Sequence, residues 1–464
     1  MRKPTHRQAE PGTWNQHDLL RRLCHALDIA KLTVDHLAAN GYTDARDPSK
    51  NIRPEKIISE TAVLLLAASS AISQKEVASR IHAIAERLMP HARSERAKIG
   101  LCLEPSVAWD YALPHVCLSR LGYGDPVFDE LLRLSLQSQS HAGRERVPHR
   151  MLEQEWAAMG WAQSKCGVKH ASRPAALRLA RLSVLHRPMD LLASTRDDLY
   201  AFTHALMYVT DFNLNPAQLP RPRAVLLAEA EAMLAWCLDA QDYDLSGEVL
   251  LSWPITGRTW SPAAAFAFRV LAHVEDQAGF LPTPSTRVDE ANARTGVERT
   301  QYLLATAYHT VYVMGLLCAM SLQPGFAPPA VLPVNEKKPG SAKRILEFID
   351  ADGKPTHWRD EFDRLAAPQA DALAALLLQI ALRRKTASRD FGKLYDLLKV
   401  AHDLELADSP AASQAAELLE RLAAYSRISA NTQSLPSEAA SEAHETLSAS
   451  SFVQHDADSQ RATL

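Results

Sequence analysis

Glycine is scarce, at 17 of 464 residues, against a usual share of ~7%. So few glycines argue against many tight β-turns and against phosphate-cradling loops. The chain has no Walker lysine loop, no GxGxxG after a strand, no HExxH, no GxSxG and no kinase motif set. Most nucleotide-dependent enzymes and the common hydrolases are thereby excluded. The six cysteines, Cys24, Cys102, Cys117, Cys166, Cys237 and Cys318, include no CxxC pair. At this chain length they read as reduced, mostly buried thiols of a cytoplasmic protein. Charge of one sign is lacking too. The formal net charge is -3, which gives no reason to expect nucleic acid or an anionic membrane as partner. The longest apolar runs, 62–72, 312–322 and 372–382, fall short of the ~18 residues of a membrane span. The first residues lack the apolar stretch of a signal peptide.

What remains is helical patterning. Hydrophobic residues make up 47% and charged residues 23%, the balance of a globular protein with a sizeable core. From Asp18 onward apolar residues recur every three or four positions, with Ala, Leu, Arg and Glu dominant and prolines as punctuation. No alternating β-branched run flanked by Asn-Gly or Asp-Gly turns is found. The fold class is all-α. Residues 1–16 read as a flexible arm and 17–322 as the main helical domain. The proline-rich stretch 323–343 reads as a linker or long ordered loop, 344–428 as a smaller C-terminal helical region, and 429–464 as a disordered tail.

A repeat underlies the main domain. Aligning Tyr111 with Tyr200 places Ala112 on Ala201 and His115 on His204. His25 and His309 occupy the same position in weaker copies, so the four histidines are spaced 90, 89 and 105 residues apart. Helix pairs of repeat folds take ~40–47 residues, so each period is two pairs and the domain holds about seven. An open α-solenoid and a closed α/α toroid both fit that count. Long, irregular loops such as 213–223 and 279–289 favour the toroid, because a site is readily built where such loops gather.

Two resemblances bear on this. The helix at 299–320, with Tyr308-His309-Thr310 at its middle, is similar in style to the inner helices of terpenoid-cyclase and lanthionine-cyclase toroids. The cyclases' acidic DxDD run, repeated Gln/Trp motif and Cys-His-Gly zinc pair are absent, so their chemistry does not carry over. The segments RVPHRMLEQEW (146–156) and THALMYVTDF (203–212) resemble an uncharacterised bacterial all-helical domain family. That resemblance implies a place near biosynthetic genes and brings no established activity.

Histidines and carboxylates carry the candidate chemistry. Tyr200, His204, Tyr208 and Asp211 fall on one helical stripe, with Asp197 and Asp198 at its start. A polar stripe on an apolar helix is costly unless it meets water, a ligand or polar partners. It reads either as a general base held by a carboxylate, or as a hydrogen-bonded core network. His149 and Glu153 stand at i and i+4, spaced to share one ion or one proton, or simply to touch each other at the surface. His309 lies in a very apolar helix, where a lone histidine is ordinarily a satisfied core residue. Its register with His204 argues for more. Cys166 and His170 form one potential zinc pair without a second.

The sequence therefore points to an enzyme acting on a small molecule or peptide in a central cavity. Its catalytic candidates are Asp198, Tyr200, His204, Asp211 and His309. Its metal-ligand candidates are His115, His149, Glu153, His204 and His309, a set suited to zinc or iron. The competing reading is a non-catalytic helical repeat scaffold that binds a protein partner.

Overall fold

The computed structural model describes residues 15–37, 42–44, 47–137, 147–166, 174–214, 218–334, 338–350 and 356–433. The expected arm, most of the expected tail and the pair Cys166/His170 fall largely outside these residues.

Twenty-two helices make up almost all of the described chain. They are α1 (Gln16–Asp35), α2 (Pro54–Ala68), α3 (Lys75–Ala92), α4 (Glu95–Leu103), α5 (Ala108–Arg120), α6 (Pro126–Gln137), α7 (Pro148–Cys166) and α8 (Pro174–Leu182). Next come α9 (Arg196–Thr210), α10 (Arg223–Asp239), α11 (Tyr243–Leu250), α12 (Ser252–Thr256), α13 (Pro262–Ala278), α14 (Val288–Ala293), α15 (Gly296–Thr306) and α16 (Tyr308–Ser321). The last are α17 (Ser341–Asp350), α18 (His357–Phe362), α19 (Ala367–Ala372), α20 (Ala374–Ala387), α21 (Phe391–Asp403) and α22 (Pro410–Gln433). The only strands among the described residues are β1 (Tyr42–Asp44) and β2 (Asp47–Ile52), paired as an antiparallel hairpin.

Local chemistry sets the helix ends. Asn15 and Asp18 form a capping box that opens α1, and Thr195 and Asp198 do the same for α9. Ser261 caps α13 ahead of Pro262 in its first turn, and left-handed Gly279 ends it. The helix expected at 299–320 is broken: Ala307 leaves helical geometry, and α15 and α16 meet at 73°. No single described helix is long and apolar enough to cross a membrane.

Six helices pack in a closed circuit. α2 lies on α5, α5 on α7, α7 on α9, α9 on α11, α11 on α16, and α16 returns to α2. On their flanks, α1 packs on α16 and α3, α3 on α2 and α5, α6 on α5, α8 on α7, α10 on α11, and α13 on α11. Of the six circuit helices, α2, α5, α7, α11 and α16 thus each carry a flanking helix. The short helices α12, α14 and α15 fill connections instead of adding a pair.

Close approach between helices relies on small residues. A Cβ on Gly315 of α16 would stand 2.6 Å from that of Ala26 on α1. One on Gly247 of α11 would stand 2.6 Å from Cγ1 of Val313 on α16. The first and later helices are tied by Arg22, fully buried on α1, which bonds Glu275 and, at 2.7 Å, Asp276 on α13. The C-terminal helices are packed on the rest: α20 lies on α10, and Arg384 grips Asp239 at 2.6 and 2.9 Å. In the stretch after α16, the Phe326 carbonyl accepts from Trp260 at 2.8 Å and Leu332 is buried. α22 carries helix to Gln433, past the expected boundary at 428.

Candidate functional site

Helix α9 presents its stripe as periodicity demands. Tyr200, His204 and Tyr208 share one face, and the His204 ring meets both tyrosines edge-on, at 5.6 and 5.9 Å between centroids. On α7, one turn separates His149 from Glu153. His149 meets His204 edge-on at 6.1 Å, and Glu153 accepts the Tyr208 hydroxyl at 2.7 Å. Arg150 pairs with Glu153 at 3.0 Å on the more exposed side.

Opposite stand two carboxylates the sequence reading did not single out. Asp244 and Glu248 lie one turn apart on α11 and are buried, at 4% and 2% exposure. Asp244 Oδ2 accepts from the Tyr200 hydroxyl at 2.7 Å and from Arg196 at 3.2 Å. Glu248 Oε2 accepts from the Thr203 hydroxyl at 2.6 Å. Their other oxygens face α16. His309 Nε2 is 3.4 Å from Asp244 Oδ1 and 3.6 Å from Glu248 Oε1, and His204 Nε2 is 3.6 Å from that same Glu248 oxygen. Behind His309, its Nδ1 lies 3.1 Å from Glu60 Oε2 on α2, and that oxygen accepts the Tyr308 hydroxyl at 2.8 Å. His204 Nδ1 is buried and has no hydrogen-bond partner among the described residues.

The charges shape one another. Burial pushes the Glu248 carboxyl up, but the imidazoles of His204 and His309 outweigh it and hold it well below the usual carboxylate range. Burial likewise opposes ionisation of Glu60, yet His309, Lys56 and the Tyr308 hydroxyl bring it down to about 2. His309 moves the other way. Burial would lower it, and the charges of Glu60 and Asp244 raise it well above an ordinary histidine. Burial, then the positive charge of His204 and Arg150, lowers His149 to about 4. Burial and adjacent carboxylates push the phenols of Tyr200, Tyr208 and Tyr308 up.

The structure thus brings His149, Glu153, Tyr200, His204 and His309 to one place. Three other candidates lie elsewhere. His115 is buried on the side of α5 that faces α6. There its Nε2 is 3.0 Å from Asp129, its ring lies 4.4 Å from that of Phe128, and Arg93 bonds its Nδ1 at 3.1 Å. Burial lowers its pKa against the pull of Asp129. Asp198 is spent on the capping box, accepting from the backbone and hydroxyl of Thr195 at 2.8 and 2.7 Å. Asp211 ends α9 in left-handed geometry, gripped by Arg120 at 3.0 and 2.9 Å and by the Trp156 indole at 2.5 Å. His25, on flanking helix α1, is absent from the cluster, and its Nε2 is buried without a hydrogen-bond partner among the described residues.

A helical circuit with ionisable groups gathered from five of its members, α2, α7, α9, α11 and α16, defines an all-α protein with a half-buried histidine–carboxylate cluster. The chain belongs to the DUF6895 family, a domain of unknown function, which spans residues 25–319. These limits take in every residue of the cluster and stop just short of the end of α16. No curated protein and no protein of known structure shows significant similarity to the chain.

Proposed function

We propose that the circuit is an α/α toroid lined by six helices, and that the protein is a cytoplasmic enzyme acting at its centre on a small molecule or peptide. One observation carries the reading. His149, His204, Glu248, Asp244, His309 and Glu60 converge from five helices, with ring contact between the first two and polar atoms of the rest within 4.8 Å of a neighbour in the cluster. A core needs nothing of the kind, since apolar residues would fill the space at lower cost. Clustered groups with strongly shifted acidities favour working sites over plain packing. Proton transfer and metal binding both draw on such groups, and both need them held away from bulk water. The implied kinship with families near biosynthetic genes suggests a substrate from a biosynthetic pathway.

The test compares wild type with His204→Ala and Glu248→Gln. A pooled mixture of metabolites and short peptides is incubated with each and followed by mass spectrometry, with urea unfolding alongside. The expected result is a compound consumed by wild type alone, with both variants close to wild type in stability, because working sites trade stability for function. A stability loss of several kcal/mol in both variants, with no compound consumed by wild type, would mark the cluster as a structural network. The helical scaffold reading would then replace this one.

A further inference from the structure

We propose that Asp244 Oδ1, Glu248 Oε1 and His309 Nε2 form a binding site for a single divalent first-row transition-metal ion. This deepens the reading of the cluster as the working centre, yet ion binding is read directly. It can fail while turnover stands, and the reverse.

Spacing is the first argument. The three donor atoms all lie within 4.8 Å of one another. Ligands at ~2.0–2.2 Å from one ion stand roughly 3.0–3.5 Å apart. The separations from His309 Nε2, 3.4 and 3.6 Å, match a shared ion. They are long for direct hydrogen bonds, which centre near ~2.9 Å.

Orientation is the second. Each donor residue has a different group behind it. Tyr200 and Arg196 hold the far oxygen of Asp244, and Thr203 holds the far oxygen of Glu248. Glu60 lies 3.1 Å from the far nitrogen of His309 and is itself fixed by Tyr308. Such outer partners orient metal ligands, and a carboxylate behind a ligating imidazole is their commonest form.

Charge is the third. Two buried carboxylates stand 3.4 and 3.6 Å from one imidazole nitrogen, so the gap between them accepts a positive charge. An ion there would leave His309 neutral and satisfy both acids at once.

The donor set selects the ion. One imidazole nitrogen with two carboxylate oxygens suits zinc, iron(II) or manganese(II), whereas calcium and magnesium favour all-oxygen shells. Three protein ligands leave a position for water or substrate. His204 borders Glu248 without belonging to the trio.

The experiment uses the full chain stripped with chelator, titrated calorimetrically with zinc(II), manganese(II) and magnesium(II) in separate runs. One equivalent of zinc or manganese should bind, with magnesium at least tenfold weaker. Glu248→Gln and His309→Ala should lose binding, and Asp198→Ala, outside the cluster, should retain it, with folding checked by circular dichroism. Cobalt(II) should give a visible absorption band that vanishes in His309→Ala. Should those variants not fold, Thr203→Val and Tyr200→Phe carry the same reading. Removing an outer partner should weaken binding about tenfold or more. No stoichiometric zinc or manganese on the folded wild type, or equal affinity in the folded variants, would overturn the site and leave an imidazolium held by carboxylates.

Discussion

Replacing Gly247 by alanine tests how tightly α11 must approach α16. The added Cβ would lie 2.6 Å from Cγ1 of Val313 and 3.8 Å from Cβ of Val313 and Cδ2 of Leu271. Carbon atoms rest at ~3.5–4.0 Å, so about 1 Å must be found. Val313 is buried at 2% exposure, and a β-branched residue in a helix has essentially one rotamer. The helices must therefore part. Overpacking of this kind costs about 1–3 kcal/mol, and helix propensity returns about 0.5–1 kcal/mol, so Gly247→Ala should destabilise by about 1–2 kcal/mol. In a Val313→Ala background the offending methyl is gone and only ordinary contacts remain. There the same change should stabilise by about 0.5–1 kcal/mol. Urea unfolding of the four proteins gives the coupling as a change of sign. A Gly247→Ala effect that is equal in both backgrounds would refute the reasoning.

Other outcomes follow from the same geometry. Burial lowers the pKa of His115 from 6.5, so the unfolded chain takes up that proton at a higher pH than the folded one. Its contribution is full above pH 6.5 and falls as pH drops through and below that value. His115→Gln should flatten the decline in urea midpoint between about pH 7.5 and 5.5, and an unchanged slope would sink this account. Asp211→Asn keeps a residue that tolerates left-handed geometry but removes the carboxylate bonded by Arg120. A loss of about 3–5 kcal/mol is expected, and one under ~1 kcal/mol would show the pair to be solvent-screened. Asp198→Ala should cost about 0.5–2 kcal/mol through the lost cap and leave zinc binding as in wild type. A fall in zinc affinity would give Asp198 a role at the site that its position does not suggest.

Much of this was legible where the information lay within one helix. The face shared by Tyr200, His204 and Tyr208 follows from 3.6-residue periodicity, as does the His149/Glu153 pair. Asp244 and Glu248 carried an equally plain sign, two acids one turn apart in the otherwise apolar stretch 243–255, and were overlooked because no repeat marked them. The matched YAxxH register of His115 and His204 misled for a physical reason. Register fixes a residue's place along a helix, not the rotation of that helix about its axis. On α5 that rotation turns His115 toward Asp129 and Phe128 of α6. Asp198 and Asp211 looked like chemistry because carboxylates at helix ends serve capping and catalysis with the same atoms.

Which acid meets which imidazole was beyond reach for a different reason. Glu60 and His309 stand 249 positions apart in the chain, and they meet only because α16 returns to α2. That return depends on the Thr61 and Tyr312 hydroxyls, 3.0 Å apart, and on Ser70, which bonds the Ala319 carbonyl at 3.1 Å. It depends equally on Gly315, whose missing side chain lets α1 lie against α16. The donor separations of 3.4 and 3.6 Å are therefore a property of helix spacing as much as of the donors. A shift of 1 Å between α11 and α16 would be as large as the difference between a shared ion and none. Stability and ion affinity should then fall together at Gly247, where α11 meets α16, and separately at Asp211 and Asp198. Zinc titration of Gly247→Ala beside Asp211→Asn decides the matter. Equal loss of affinity in both would mean that general softening, not the spacing of these two helices, governs the site.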